Sequence, residues 1–442
     1  MPSSAVESVT DKQVRDDVIK YDINILPDML PLYYKRLFPH KPFYRWLSYG
    51  LSEEDVFRNR EFSFTLPDDV YRRYISYETQ SDMEKHICKK CPHKIDIGAV
   101  MNRRPRNRRT MFMAMDPVQR ELVFDIDMTD YDDVRTCCNE ANVCQKCWKF
   151  MTVAVRILDA ALRDDFGFEH IFWVFSGRRG IHAWVCDSAA RHLDARSRSA
   201  VAEYLQLITH SSTNDGTISR VHIGDRMHHS VKRAFKIVEA LFEEIIIEDQ
   251  NLFSTPKGIA TLLHIIPDEK ARKDTEDYLR KTHDDGAHSR AVWSSFVRYA
   301  NSMRISTANI WGRKLKHIVE EVQLAMLYPR LDINVTKGMN HLLKAPFCIH
   351  PSTGKVCVPF SASAVAKFNP CTVPTIAQLL QEISAFDDKS KSNEETEDKS
   401  RIKDYKKTSM FKGVVVFEEF LRKLESSFKS KAIEISDQKM EF

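Results

Sequence analysis

No run of apolar residues in this chain reaches the length of a membrane span, and its start, Met1 to Lys20, is too polar and charged for a secretory leader. A surplus of charge of one sign is lacking too. The 66 basic and 62 acidic residues leave a formal net charge of +4, which permits nucleic-acid binding without demanding it. No internal repeat recurs, so repeat arrays are set aside. Without a leader, the ten cysteines are expected to be metal ligands or free thiols rather than disulfides. What is present, 442 residues at 43% hydrophobic and 29% charged, suits a globular chain of one to three domains with ample core.

The chain is organised around residues 121–127, Glu-Leu-Val-Phe-Asp-Ile-Asp. The two-residue period of a strand puts Leu122, Phe124 and Ile126 on one face and Val123, Asp125 and Asp127 on the other. Asp125 and Asp127 then project the same way, about 6.6 Å apart at strand rise. Two carboxylates on an apolar strand repel each other and resist desolvation unless a cation lies between them. A pair of divalent metals about 3.5–4 Å apart would suit phosphoryl chemistry. The bland alternative is a strand ending in exposed acids.

Other segments bear on that choice. A helix is expected around Met29–Phe38, where Leu30, Tyr33, Tyr34 and Leu37 recur. Residues 60–66 alternate, with Phe62, Phe64 and Leu66 inward and Glu61, Ser63 and Thr65 on the polar face, where an acid is ordinarily solvated. Lys94–Gly98 reads as a second strand with the same polar-out logic. Residues 103–109 hold five arginines in seven positions, broken by Pro105, which favours a surface loop making phosphate contacts or serving as a targeting signal. Cys137, Cys138, Cys144 and Cys147 include a C-x-x-C and form a candidate four-thiolate zinc site, with buried free thiols as the alternative. Cys88 and Cys91, beside His86 and His93, are a weaker second cluster.

A helix through Trp148, Met151, Val155, Leu158 and Leu162 should end near Gly167. Strand 171–175 then runs through Ser176-Gly177-Arg178-Arg179-Gly180 into strand 181–186, opened by Ile181 and His182. Glycine lets backbone approach closely, arginine offers forked donors to phosphate oxygens and serine adds a hydroxyl, so the turn reads as a phosphate cradle with His182 facing the same pocket. The competing reading is a plain hairpin with solvated arginines.

From about 188 to 325, amphipathic stretches (Ser199–Leu207, Val231–Glu248, Asp274–Lys281, Val292–Met303, Arg313–Leu327) predict a helical subdomain, with His222, His228, His229 and His264 solvated or capping. Leu331–Thr336 reads as a returning strand whose Asp332 is a candidate third carboxylate; Lys344 and His350, in a loop around Pro346, can hold phosphate. Residues 385–409 are charged and poor in apolar residues, the composition of a disordered linker, and an amphipathic helix near Val414–Phe428 follows. The expected fold class is α/β (α+β): a sheet flanked by helices, with a zinc-binding insertion and a helical subdomain. Its divisions are a flexible 1–20, a catalytic domain of 21–190 and 326–384, a helical subdomain of 191–325, a linker at 385–409 and a C-terminal helix at 410–442.

Five stretches carry a resemblance: REFSFTL at 60–66, KIDIGAV at 94–100, ELVFDIDMTDYDDVR at 121–135, FGF and WVFSGRRGIHAWVCD within 166–187, and LYPRLDINVTKGMNHLLKAPF at 327–347. With the four cysteines, they make the chain resemble the small, catalytic subunits of eukaryotic DNA primase, in the archaeo-eukaryotic primase superfamily, from about Leu32 through Phe360. The resemblance implies a primase-type catalytic sheet and a DNA-templated RNA polymerase that makes short primers from ribonucleoside triphosphates on single-stranded DNA. It implies that Asp125, Asp127 and Asp332 bind two Mg²⁺ or Mn²⁺ ions and that Glu61 belongs to the active site. Ser176, Gly177, Arg178, Arg179, Gly180, Ile181 and His182, with Lys344 and His350, would cradle the triphosphate. Asp96 and His341, Leu342 and Leu343 would lie against sugar and base. The cysteines would hold a structural Zn²⁺. Implied partners are a large subunit carrying an iron–sulfur cluster and the DNA polymerase alpha complex, in the nucleus, with no membrane. The dense arginine run and the Cys88/Cys91 pair are departures from the family pattern. Competing readings are a stand-alone polymerase of the same superfamily, which would need a fused second domain; a two-metal nuclease, for which a triphosphate cradle is surplus; and a catalytically inactive zinc-containing nucleic-acid-binding scaffold.

Overall fold

A computed structural model describes residues 21–50, 54–110, 114–213, 216–306, 314–392 and 402–440. The expected lead-in at 1–20 lies outside these described residues. Eleven strands are present among them: β1 (Arg60–Thr65), β2 (Tyr71–Ile75), β3 (Lys94–Met101), β4 (Pro117–Gln119), β5 (Leu122–Asp127), β6 (Ile171–Phe175), β7 (Gly180–Val185), β8 (Thr209–Thr213), β9 (Gly216–Arg220), β10 (Leu343–Lys344) and β11 (Pro359–Phe360). The first sheet runs β10-β3-β1-β2 with β4 on β3; the second runs β11-β6-β7-β5, and their pairings are antiparallel. The fold is thus α+β.

Alternation in 60–66 does form β1, but its second face is not left to solvent. Glu61 and Ser63 are buried, as is Asp96 on β3, so the polar-out reading fails for both strands. Cationic partners make the difference: Arg73 of the neighbouring β2 ion-pairs Glu61 at 2.9 Å, and Lys94, two positions back on β3 itself, reaches Asp96 at 3.0 Å. A buried carboxylate with its own cation costs far less than a bare one. Where a helix was expected at Met29–Phe38, Leu26–Leu32 is helical and passes into a wider π turn at Tyr33–Leu37, with Tyr33, Tyr34 and Leu37 buried.

The helix Gln145–Asp164 buries Trp148, Met151, Val155, Leu158 and Leu162, as its spacing predicts. Gly167, at φ +68°, closes it by donating its N–H to the Arg163 carbonyl at 3.0 Å. The stretch 188–325 is largely helical (Ala195–Leu205, His229–Phe242, Pro256–Ile265, Glu269–Thr282, Ser289–Ser306, Ile318–Leu327), but it also holds the β8–β9 hairpin, which periodicity did not predict. His228 caps the helix that begins at His229, and His222 is 84% exposed at its side chain. The expected linker is corrected at its start: residues 385–392 continue the helix Ile376–Ser392, while 393–401 lie outside the described residues. The last helix is Phe411–Met440.

Leu331–Thr336 is not a strand. Ile333–Lys337 is a short helix, and Asp332 is its N-cap, accepting from the Asn334 amide at 3.1 Å. Long-range bonds hold this helix against β5: the Asp332 N–H donates to the Asp125 carbonyl at 3.2 Å and the Thr336 hydroxyl to the Val123 carbonyl at 2.8 Å. Buried Arg120 donates to the carbonyls of Val335 and Gly338. Next to it, Arg60 pairs with buried Glu121 at 2.7 Å. Burial pushes the Glu121 carboxyl up, but Arg60 and the hydrogen bonds from Arg60 and Tyr49 bring it down to about 2. Behind the second sheet, Trp46 packs edge-on against Phe172, Trp184 and Phe417, tying the N-terminal helix His40–Ser48, β6, β7 and the last helix into one core.

Candidate active site

The two sheets meet at a cleft of about 270 Å³. One wall is the β5–β7 edge, where Asp125 pairs in register with His182 and Asp127 with Gly180. The other is the β3–β10 edge, which brings Lys94, His341, Leu342, Leu343 and Lys344. Ser176, Arg178, Arg179 and Gly180 from the β6–β7 turn, and His350, also line it. A larger groove of about 620 Å³ lies elsewhere, but there Arg36 is neutralised by Asp387 and Asp404.

Carboxylates and cations sit together in the cleft. Burial, then the charges of Asp127 and Asp332, push the Asp125 carboxyl up to about 7; burial and Asp127 push Asp130 to about 6. Arg179 holds Asp127, Nε to Oδ2 at 2.8 Å, while the other Asp127 oxygen accepts from the Thr129 amide and hydroxyl. His182 Nε2 lies 3.6 Å from Asp125 Oδ1. Burial, then Lys344 and Lys94, hold that imidazole down near 3, so it is neutral at physiological pH, and its Nδ1 has no hydrogen-bond partner among the described residues. Burial and the same cationic surroundings hold His350 near 3 as well.

The turn requires its glycines. Gly177 sits at φ +90°, and a Cβ there would come within 2.6 Å of the His350 Cβ; one on Gly180 would meet the Ile126 carbonyl at 2.5 Å. The Gly180 N–H donates to the Ser176 hydroxyl at 3.0 Å, and Lys344 reaches the Ser176 carbonyl at 3.3 Å. Ile181 differs from its neighbours: it pairs with Ile126 and Phe175 in the buried sheet and does not line the cleft. Glu61 and Asp96 sit just behind the wall. Asp96 is opposite Lys344 in register and bound to Lys94, and Glu61 lies against Gly98, which Leu342 also covers. Sequence reading missed Lys94 and Arg73. Lys94 shares the Asp96 face two positions away, a usable signal; the partnership of Arg73 with Glu61 crosses strands and leaves none.

The sulfurs of Cys137, Cys138, Cys144 and Cys147 all lie within 4.8 Å of one another, with Cys144 at 3.6 Å from Cys137 and 3.8 Å from Cys147. A tetrahedral Zn–S distance near 2.3 Å requires S···S edges of about 3.8 Å, so the four thiols fit zinc. Cys88 and Cys91 do not join such a group: His86 bonds the Tyr77 hydroxyl, and Cys88 approaches His40. Among the described residues the four cysteines are the one set of three or more such ligands already converged. The aspartates are nearby, with Asp127 turned to Arg179 and Asp332 to its own helix. Their chemistry fits a divalent cation, since a carboxyl driven up by its acidic neighbours is relieved when positive charge enters.

Carboxylates on β5 beside a glycine-turned, arginine-rich cradle, with the lysine-bearing edge of a second antiparallel sheet opposite, define a nucleotide-handling site of the nucleotidyltransferase type. The family model described as DNA primase small subunit matches residues 124–362. A DNA primase small subunit of Drosophila melanogaster is 66% identical over 435 residues, 97% of this chain and 99% of that protein. Those of Schizosaccharomyces pombe (42% over 365 residues, 82% of this chain and 78% of that protein) and Caenorhabditis elegans (38% over 423 residues, 91% and 99%) are also similar. The chain belongs to the DNA primase small subunit family.

Proposed function

We propose that this chain is the catalytic subunit of a DNA primase, a DNA-templated RNA polymerase joining ribonucleotides into short primers on single-stranded DNA. The observation that carries the reading is the shared cleft. Asp125 and Asp127 stand beside His182, Arg178 and Arg179 on one wall of it, Lys94 and Lys344 lie on the other, and Asp332 is anchored to the Asp125 carbonyl.

Asp125, Asp127 and Asp332 would hold Mg²⁺ or Mn²⁺, which when bound lowers the pKa of a primer 3′-hydroxyl and offsets charge on the leaving pyrophosphate. Arg178 and Arg179 offer forked donors to the triphosphate, Lys344 a point charge, and Ser176 a hydroxyl. Neutral His182 and His350 donate or accept without adding repulsion among these cations. Asp96 and His341–Leu343 would meet sugar and base, while Glu61 anchors Arg73 and the Tyr74 amide. Zn²⁺ on the cysteines would be structural. A large subunit with an iron–sulfur cluster, the DNA polymerase alpha complex and a nuclear location follow from the family resemblance. Residues 21–190 and 326–384 would form the catalytic domain and 191–325 its helical subdomain.

Primer synthesis on a single-stranded polypyrimidine template, with ribonucleotides and Mn²⁺, tests the reading. Wild type should make short RNA, and Asp125→Ala/Asp127→Ala none. A wild type silent even with a preformed primer and the large subunit would shift the reading to a catalytically inactive zinc-containing scaffold.

A further inference from the structure

The arginines of 103–108 do not line the cleft, yet they do not lie loose in solvent. Residues Pro105–Thr110 form a short 3₁₀ segment. The Arg106 amide bonds the Ser76 hydroxyl at 3.3 Å, just past β2, and the exposed Arg108 guanidinium lies 3.9 Å above the Tyr74 ring. Arg73 lies 5.1 Å from the same ring. Tyr74 sits at φ +62° within a strand, a strained position for a tyrosine, with its amide fastened to Glu61 at 3.3 Å. Arg58, Arg104 and Arg106 all converge on the single carboxylate of Glu78. Arg73 takes Glu61, and Arg72 is exposed beside it. Two carboxylates, Glu61 and Glu78, thus serve Arg58, Arg73, Arg104 and Arg106, so the patch keeps a positive excess.

The patch also has aromatic surface and a physical connection to the cleft. Tyr71, on the edge strand β2, is 51% exposed. Its hydroxyl is 3.0 Å from that of Ser63, which donates to Asp96 at 3.2 Å, and Asp96 binds the cleft residue Lys94. On the second route Arg73 and Tyr74 hold Glu61, whose Cβ lies beside Gly98 under Leu342.

We propose that β2 and residues 103–108 form a platform that carries the unpaired DNA template strand into the cleft, its bases on Tyr71 and the Arg108–Tyr74 stack and its phosphates on Arg72, Arg106 and Arg108. An exposed tyrosine ring beside a half-buried one capped by an arginine fork suits a single strand, whose bases are free to stack, better than a duplex, whose bases are not. The proposal rests on the primase reading of the cleft.

The test uses the full chain and a fluorescein-labelled single-stranded polypyrimidine oligonucleotide, with anisotropy measured over a salt series. Arg106→Glu/Arg108→Glu should weaken binding at least tenfold at low salt. Losing two phosphate contacts should also flatten the log–log salt slope by about 1.4. Tyr71→Ala should cost at least about fivefold. In Mn²⁺-dependent extension the change should fall on the KM for template rather than on the KM for nucleotide. Arg106→Ala/Arg108→Ala, checked for an unaltered melting temperature, guards against misfolding and should shift both readouts the same way. Unchanged affinity, slope and template KM in an active enzyme would overturn the platform and leave the primase reading standing. So would a loss confined to duplex DNA, or lost binding of the large subunit with single-strand binding intact. A wild type that neither binds the oligonucleotide nor extends a primer would remove both.

Discussion

Asp125 occupies a place where ionisation is expensive. Burial, Asp127 and Asp332 hold its pKa at about 7, against 3.8 for an unperturbed aspartate. Between those values the folded chain carries a proton that the unfolded chain has released, so this residue's contribution to stability is lost as pH rises from about 4 through 7. His182 and His350 act with the opposite sense. Their folded pKa near 3 lies below the ordinary 6.5, so their contribution is lost as pH falls through that interval. The metal-free chain is therefore pressed from both sides. Calorimetric melting without divalent ions should show Asp125→Asn gaining on wild type as pH rises from 5 to 8, with Mn²⁺ narrowing the gap. Parallel curves for the two proteins would mean that Asp125 is not the group under strain.

At the scale of elements, the cysteine cluster is the joint between loop and helix. Cys144 caps the helix Gln145–Asp164, whose Trp148 packs on Phe175 of β6, and Gln250 from the helical region binds Thr136 and Cys137. Cys144→Ser/Cys147→Ser should take bound zinc from one ion per chain to none by atomic emission, lower the melting temperature by several degrees and open 132–147 to protease. Retained zinc would point to other ligands. Strands marked by alternation (β1, β5) or by a short apolar run (β6, β7) and the long helix after the cysteines were legible in the sequence, and with them much of the cleft. Asp332 was placed on the wrong element. Leu331, Ile333 and Val335 mimic a strand, and a five-residue helix is too short to show a 3.6 period. Its conformation is decided by Arg120 and β5, far away in sequence. The burial of Glu61 was hidden for the same reason, since its cation Arg73 arrives from the next strand, whereas Lys94 stood two positions from Asp96 on the same face. The β8–β9 hairpin is rich in serine and threonine, so it lacked the hydrophobic alternation that gave the others away, although Asp215-Gly216 is a turn signal.

On the scale of the whole molecule, the cleft belongs to neither sheet alone, and the second sheet is backed by an aromatic core through Trp46, Phe172, Trp184 and Phe417. The bond from Thr336 to Val123 closes the site across 213 residues of chain. That span sets an order of events in time. Helices and hairpins draw on nearby residues and form early, whereas contacts separated this far wait for the intervening chain to be organised. On dilution from denaturant, far-ultraviolet ellipticity should return well ahead of primer extension, which should appear only with the slowest refolding phase. Extension that returned together with the first ellipticity would show the carboxylates assembling without Asp332. The same bond that holds the Asp332 helix on β5 thus acts as a clock, making this wall of the cleft one of the last parts of the chain to be completed.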